Sequence, residues 1–302
     1  MRSFGGVLAG YQGLAPGFDF LRLALACTIV FYHAVTAGGY WDAGTGPVLW
    51  FFEYSLVPMF FALSGFLITA SAQRLDLANF LLNRVLRIVP ALAVDILICA
   101  FVIGPAVTAL PLGDYFTDAG FLAYLLNIVG AVHTDLPGVF SANPTSQVNG
   151  ALWTIPWEIH CYIIVSIMIV TAVVRKPATT FLVLAGFVAT GLMVEHFISD
   201  GPRDEQLLHV LFVSRGAQLT TAFLTGILAY QLRGRIPMSR ALLALSIAVA
   251  LTAMIVLDTR ATHSVANRLI LIPVLTYITI YAGLSRLPLP KILGRGDYSY
   301  GV

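Results

Sequence analysis

The stretch FDFLRLALACTIVFYHAVTA, residues 18–37, is an apolar run carrying Asp19, Arg22 and His33. About 20 mostly apolar residues are enough to carry a helix across the hydrocarbon core of a bilayer. No small-residue cleavage site follows the run, so it is expected to stay in the protein as a membrane helix rather than leave as a signal peptide. The rest of the chain agrees. Hydrophobic residues make up 58% of the 302 positions and charged ones 11%, against about a quarter charged in a soluble domain. That much apolar surface must face something other than water.

Further runs of spanning length cover approximately 48–70, 88–110, 151–174, 178–198, 207–232, 241–257 and 268–284. A shorter apolar stretch near 119–132 reads as a re-entrant or interfacial helix. Gly38-Gly39, Pro137-Gly138 and Gly201-Pro202 punctuate the connections. The expected fold is all-α: one polytopic helical bundle of about eight or nine transmembrane helices, forming a single domain over residues 1–302. Cys27, Cys99 and Cys161 lie in apolar runs with no paired spacing, which reads as core packing and not as a disulfide framework or a metal site. A net charge of +2 leaves no basic face for nucleic acid.

Lysine and arginine placement orients the bundle. With the N-terminus cytoplasmic, Arg2, Arg22, Arg74, Arg84, Arg87, Arg175, Lys176, Arg233, Arg235, Arg240, Arg286, Lys291 and Arg295 fall inside. Only Arg203, Arg215, Arg260 and Arg268 are left towards the outside, and the long outer segment 111–150 has no lysine or arginine.

Ionisable groups within spans are costly and mark candidate sites. Arg22 and His33 are eleven positions apart, within about 20° of three full helical turns, so they share a face about 16 Å apart along the axis. Arg22 reads either as a ligand-binding group near the cytoplasmic surface or as a side chain snorkelling to headgroups. His33, in the outer half, reads either as a reactive imidazole or as a packed histidine. Glu158 falls at a similar depth on a descending helix. It can orient His33 and raise its basicity, or it can form a structural ion pair. His160 points away from Glu158. Arg84 and Arg87, one turn apart, suit a phosphate or pyrophosphate but equally form an ordinary positive flank. Asp95, two turns further in, is available as their partner. Ser64-Gly65 lets a narrow ligand or another helix backbone approach closely.

Together these segments resemble the acyltransferase 3 family of membrane O-acyltransferases. Asp19-Phe20-Leu21-Arg22-Leu23-Ala24 continuing to His33 is similar to that family's first helix, with its Arg-x10-His signature. Phe60-Phe61-Ala62-Leu63-Ser64-Gly65-Phe66-Leu67 resembles its second motif. Arg84 to Pro90 resembles Arg-x-x-Arg-Ile-x-Pro. Leu152-Trp153 through Glu158 to Tyr162 resembles a fourth motif, which adds Trp153 and Tyr162, with Asp19, as supporting residues. Phe223-Leu224-Thr225-Gly226 and Asp297-Tyr298-Ser299-Tyr300-Gly301 are weaker matches. In the family the last of these opens one more helix, and the sequence ends at Val302. Either the sequence is truncated there or the expected bundle lacks that closing helix; with no esterase-like domain attached, it resembles the stand-alone members.

The resemblance implies an acyltransferase, moving groups other than aminoacyl, in the bacterial inner membrane. Its donor would be cytoplasmic acyl-CoA, by default acetyl-CoA, with no tightly bound cofactor. The acceptor would be a hydroxyl of a carbohydrate or lipid-linked glycan on the outer side, in contact with membrane lipid. Arg22, Arg84, Arg87, Ser64 and Gly65 would bind the donor, and His33 and Glu158 would form the reaction centre. His33 would act as general base or as a covalent acyl carrier. A transporter or flippase for a small polar or anionic solute is the alternative, with an inactive truncated relative as a third reading.

Overall fold

The computed structural model describes residues 2–11, 15, 17–39, 47–197, 207–256 and 264–285. Its helices are α1 (Phe4–Ala9), α2 (Gly17–Ala37), α3 (Pro47–Arg74), α4 (Leu77–Ile98), α5 (Gly104–Val107), α6 (Leu112–Thr117) and α7 (Ala119–Leu125). They continue as α8 (Ile155–Val170), α9 (Pro177–Phe197), α10 (Leu207–Phe212), α11 (Arg215–Gln231), α12 (Arg240–Val256) and α13 (Val265–Leu284). Seven segments among the described residues are long and apolar enough to cross a membrane: Gly17–Ala37, Tyr54–Arg74, Leu77–Val107, Gly150–Val170, Pro177–Phe197, Leu207–Gln231 and Val265–Leu284. Helices are the form such segments must take, because hydrocarbon offers backbone groups no partner. The fold is an all-α polytopic membrane bundle, as the sequence indicates. Two shorter apolar helices, Ala119–Val129 and Arg240–Val256, do not reach spanning length.

Several boundaries differ from those expected. The third span begins at Leu77 rather than near 88 and runs 31 residues, longer than the hydrocarbon core requires. Arg84 and Arg87 thus lie within a continuous helix, where protein groups cover the Arg84 charge. The span expected over 207–232 is broken between α10 and α11 at Val213-Ser214. Cys99 and Cys161 are buried as expected, but Cys27 is exposed on α2, so it is no part of a core. Gly201-Pro202, Arg203, Arg260, Arg286, Lys291, Arg295 and the Asp297–Gly301 segment lie outside the described residues, as does the side chain of Arg268.

The chain packs into two compact units: Met1–Ile29, Gly44–Asp76 and Ile167–Val302 form one, and Val30–Ala43 with Leu77–Ser166 the other. The single domain expected over 1–302 therefore has two packing centres.

The first unit is organised on α3, the apolar window of which is 72% buried. Its partner is α11, and the two backbones touch. A Cβ on Gly65 would overlap the Phe223 carbonyl, and one on Gly226 would overlap the Ala62 carbonyl. Glycine at both positions is what brings the helices this close. Around the contact pack Phe18, Leu25, Leu63, Phe66, Leu271, Leu275 and Leu284, with the Phe18 and Phe66 rings 5.7 Å apart. Glu195 accepts hydrogen bonds from the Val265 N–H at 3.0 and 3.2 Å. A carboxylate there meets the positive end of α13.

The second unit is built on α4. Past Ile98 the helix widens into a π-turn, Cys99–Ile103, which loosens the local backbone ladder. The Tyr115 hydroxyl donates to the Ala100 carbonyl at 2.7 Å. Gly104 leaves room for it, since a Cβ there would overlap that hydroxyl. Burial pushes the Tyr115 pKa up, which keeps the group a donor. Leu92, Ile96, Phe121, Tyr124, Leu136, Val139 and Leu152 complete this core. Leu81, Leu82, Val85, Leu86, Val94 and Val102 of the same rod stay exposed, as a lipid-facing surface would.

Two outcomes test these packing centres. Gly226→Val should cost at least the ~1–3 kcal/mol typical of overpacking, lowering the melting temperature in detergent or leaving no folded protein. Gly186→Ala, where a Cβ meets nothing within 4 Å, should change it little. Tyr115→Phe should lose about 1–3 kcal/mol by stranding the Ala100 carbonyl, read in the same melt; an unchanged melt would remove the π-turn argument.

Candidate active site

His33 lies near the end of α2. Below it the Thr36 hydroxyl donates to the Tyr32 and His33 carbonyls at 3.0 and 3.1 Å. The Tyr32 ring stands edge-on to the imidazole, centroids 5.6 Å apart. Gly39 follows the helix at φ +69, a left-handed conformation glycine adopts without strain. A Cβ on it would come within 2.9 Å of Pro144, so the chain end abuts the segment that returns towards α8. Between the two opens a cavity of about 430 Å³. Val30, His33, Ala34, Thr36 and Ala37 line one wall, and Thr145, Gln147, Val148, Asn149, Gly150 and Ala151 the other. A Cβ on Gly150 would lie 3.8 Å from His33 Nδ1, so the ring faces the Gly150 backbone.

The second wall is held by a chain of polar contacts. Asp95, within the Leu77–Val107 span, accepts from Asn149 Nδ2 at 2.8 Å. Asn149 Oδ1 in turn accepts from the Ala151 N–H at 3.0 Å, capping the short 3-10 turn Gly150–Thr154. Further out, the Ser146 hydroxyl donates to Asp135 at 2.7 Å. The Val148 N–H donates to the Thr134 carbonyl at 2.8 Å. Asn127, buried, receives the His133 N–H at 2.9 Å and donates to the His133 carbonyl at 2.8 Å. The expectation that Asp95 serves the arginines gives way to this role: the partner shown for it is Asn149, which a turn of sequence-distant chain delivers.

Arg84 is 6% exposed on α4. The Tyr162 hydroxyl meets its guanidinium, and Arg87 and Glu158 act on it electrostatically. The Phe80 ring lies under it at 5.7 Å. Its Nε has no hydrogen-bond partner among the described residues. The structure thus brings together Arg84, Arg87, Tyr162 and Glu158, four residues taken from two separate motifs. Glu158, expected at the depth of His33, also acts on Arg84. His160 stacks edge-on with Trp157 at 5.7 Å. Trp153 is half-buried in the 3-10 turn that Asn149 caps.

The remaining expected residues lie in the first unit. Asp19 occupies the first turn of α2, where a carboxylate complements the helix dipole. Arg22, one turn on, is 8% exposed, so its charge is enclosed by protein rather than extended to open surface. Ser64 is half-buried, and the open side of Gly65 is filled by the α11 backbone. Of the two readings of that pair, helix packing accounts for the glycine.

Sequence reasoning missed Thr145, Gln147 and Asn149. Asn149-Gly150 directly before Leu152-Trp153 carried a usable signal, a capping residue at a turn ahead of a helix. Nothing local to Thr145 or Gln147 marks them.

The profile of a family described as an acyltransferase domain matches residues 16–302. The chain is 29% identical over 320 aligned positions to "Nodulation protein 10" of Rhizobium leguminosarum bv. viciae, spanning 96% of this chain and 82% of that protein. It is also 29% identical over 180 positions to an "O-acetyl transferase" of Shigella phage Sf6, 58% of this chain and 52% of the phage protein. No solved structure matches it. A family match of this extent sets the transporter reading aside: the chain belongs to the acyltransferase 3 family and is an integral membrane acyltransferase.

Proposed function

We propose that the protein is an O-acyltransferase of the bacterial inner membrane, with its N-terminus cytoplasmic. It moves an acyl group, by default acetyl, from cytoplasmic acyl-CoA to a hydroxyl of a carbohydrate or lipid-linked glycan on the outer side. The O-acetyl transferase name of the phage relative supports the O-acetyl part of this reading. The observation that carries it is His33 in the wall of a cavity of about 430 Å³ among neutral hydrogen-bonding groups.

Acyl transfer to a hydroxyl needs a base on the acceptor and a held donor. His33 removes the hydroxyl proton as the oxygen attacks the thioester carbonyl. The carbon–sulfur bond breaks, and the CoA thiolate leaves and takes up a proton. The donor's phosphates fall to arginine side chains, which suit them by charge and fork geometry. Arg84 and Arg87 are adjacent on α4, with Tyr162 and Glu158 beside Arg84; Arg22, enclosed on α2, and Ser64 are read with them. Glu158 then serves the reaction centre by offsetting and positioning the arginine pair as well as by its expected action on His33. Asp95 is a positioning residue: it holds Asn149 and so the wall that His33 faces.

Purified protein given radiolabelled acetyl-CoA and a glycan acceptor should label the acceptor. His33→Ala should lower that transfer by at least the ~10²–10⁴-fold of general-base help while remaining folded in the membrane; full activity in the mutant removes the assignment. Asp95→Ala should cost about 10–10²-fold in kcat by letting the wall shift. Asp95→Asn, which keeps an oxygen to accept from Asn149, should retain most of the rate. Equal loss in both variants would mean that the charge, and not the hydrogen bond, is what matters.

A further inference from the structure

The wall of the cavity opposite His33 has a chemistry of its own. Asn149 has both ends of its amide committed, to Asp95 and to Ala151. The Thr36 hydroxyl is committed to helix carbonyls. Gln147 is different. Its backbone N–H donates to the Thr145 hydroxyl at 3.2 Å, while its exposed side-chain amide has no hydrogen-bond partner among the described residues. That amide sits beside Gly150, its Oε1 3.0 Å from where a Cβ on the glycine would be. It therefore stands at the point of the wall that the imidazole faces. The Thr145 oxygen accepts from Gln147 and keeps its proton to donate elsewhere.

Charge is the second observation. Among the described residues, no lysine, arginine, aspartate or glutamate lines the cavity, and the whole segment 111–150 lacks lysine and arginine. The nearby carboxylate of Asp135 is occupied by Ser146 and Thr134. An anionic acceptor would meet no lysine or arginine among the described lining residues. Its carboxylate would lose hydration in the cavity without a counter-charge to offset the cost. A neutral polyol has no such conflict, and an amide can accept from one hydroxyl and donate to its neighbour. The cavity volume lies within the range of small-molecule sites, about 300–1,000 Å³.

We infer that the cavity beside His33 is the acceptor subsite for an uncharged, hydroxyl-bearing sugar ring, read by the Gln147 side-chain amide together with the Thr145 hydroxyl. This rests on the acyl-transfer reading above. It makes Gln147 a specificity-determining residue, set apart from the donor-binding arginines.

The test uses the full-length protein in phospholipid nanodiscs, radiolabelled acetyl-CoA, and a matched pair of acceptors: octyl β-D-glucopyranoside and octyl β-D-glucuronide, both below micellar concentration. They differ only in a hydroxymethyl against a carboxylate. The neutral glycoside should be acetylated with kcat/KM at least about tenfold higher. Gln147→Ala should raise KM for the neutral glycoside about tenfold with kcat within about threefold, its melting temperature staying within about 2 °C of wild type. Gln147→Arg should move the preference towards the glucuronide. A wild-type preference for the glucuronide, or an unchanged KM in Gln147→Ala, overturns the inference and leaves acyl transfer standing. Failure of the wild type to label either glycoside overturns the transfer reading, and this inference with it.

Discussion

Asp95 sits in an apolar helix where an unpaired carboxylate would be ruinous, and one hydrogen bond, 2.8 Å from Asn149, gives it a partner. In hydrocarbon a polar group must find that partner in its own chain or in a water-filled cavity. The second unit is arranged around this requirement. The π-turn after Ile98 presents the Ala100 carbonyl, and Tyr115 takes it. Asn127 fastens the start of the returning segment, and Asp135 fastens its middle. The segment thereby becomes a wall of fixed shape, and the cavity beside His33 exists because that wall is held.

The first unit meets a different constraint. Between helices in lipid the hydrophobic effect contributes little, so association depends on close packing. Gly65 and Gly226 leave out side-chain atoms that would collide with the facing backbones of α11 and α3. The same pair explains why a motif residue with a plausible place in ligand binding is already occupied by a neighbouring backbone. Arg22, enclosed in this unit, stands out as a charge kept inside protein at a cost that packing alone does not require.

Charge is distributed unevenly among the candidate residues. Arg84 and Arg87 lie with Tyr162 and Glu158, whereas the described residues lining the His33 cavity are neutral groups. In the proposed transfer, a phosphate-bearing donor and an uncharged hydroxyl would ask for those two environments respectively. On the proposed reading, the arginine group would take the donor and the neutral cavity the acceptor.

Much was readable from the order of residues alone. Apolar runs near 20 residues long announced the spans, because bilayer thickness fixes that length. Arg22 and His33 shared a face by helical period, and the motifs carrying Arg84, Glu158 and Tyr162 could be recognised within single helices. What sequence could not supply was anything depending on which distant segments meet. Asp95 looked like a partner for the arginines because they share its helix, yet Asn149, 54 positions away, is the partner shown for it. Depth along the helices suggested Glu158 for His33, whereas its action on Arg84 became visible only once two helices were placed together. Gln147 carried no local signal, since an exposed glutamine in a loop becomes informative only when the fold sets it opposite a histidine. Periodicity and length are properties of one element and can be read along the chain; pairing is a property of two and had to wait for the tertiary structure.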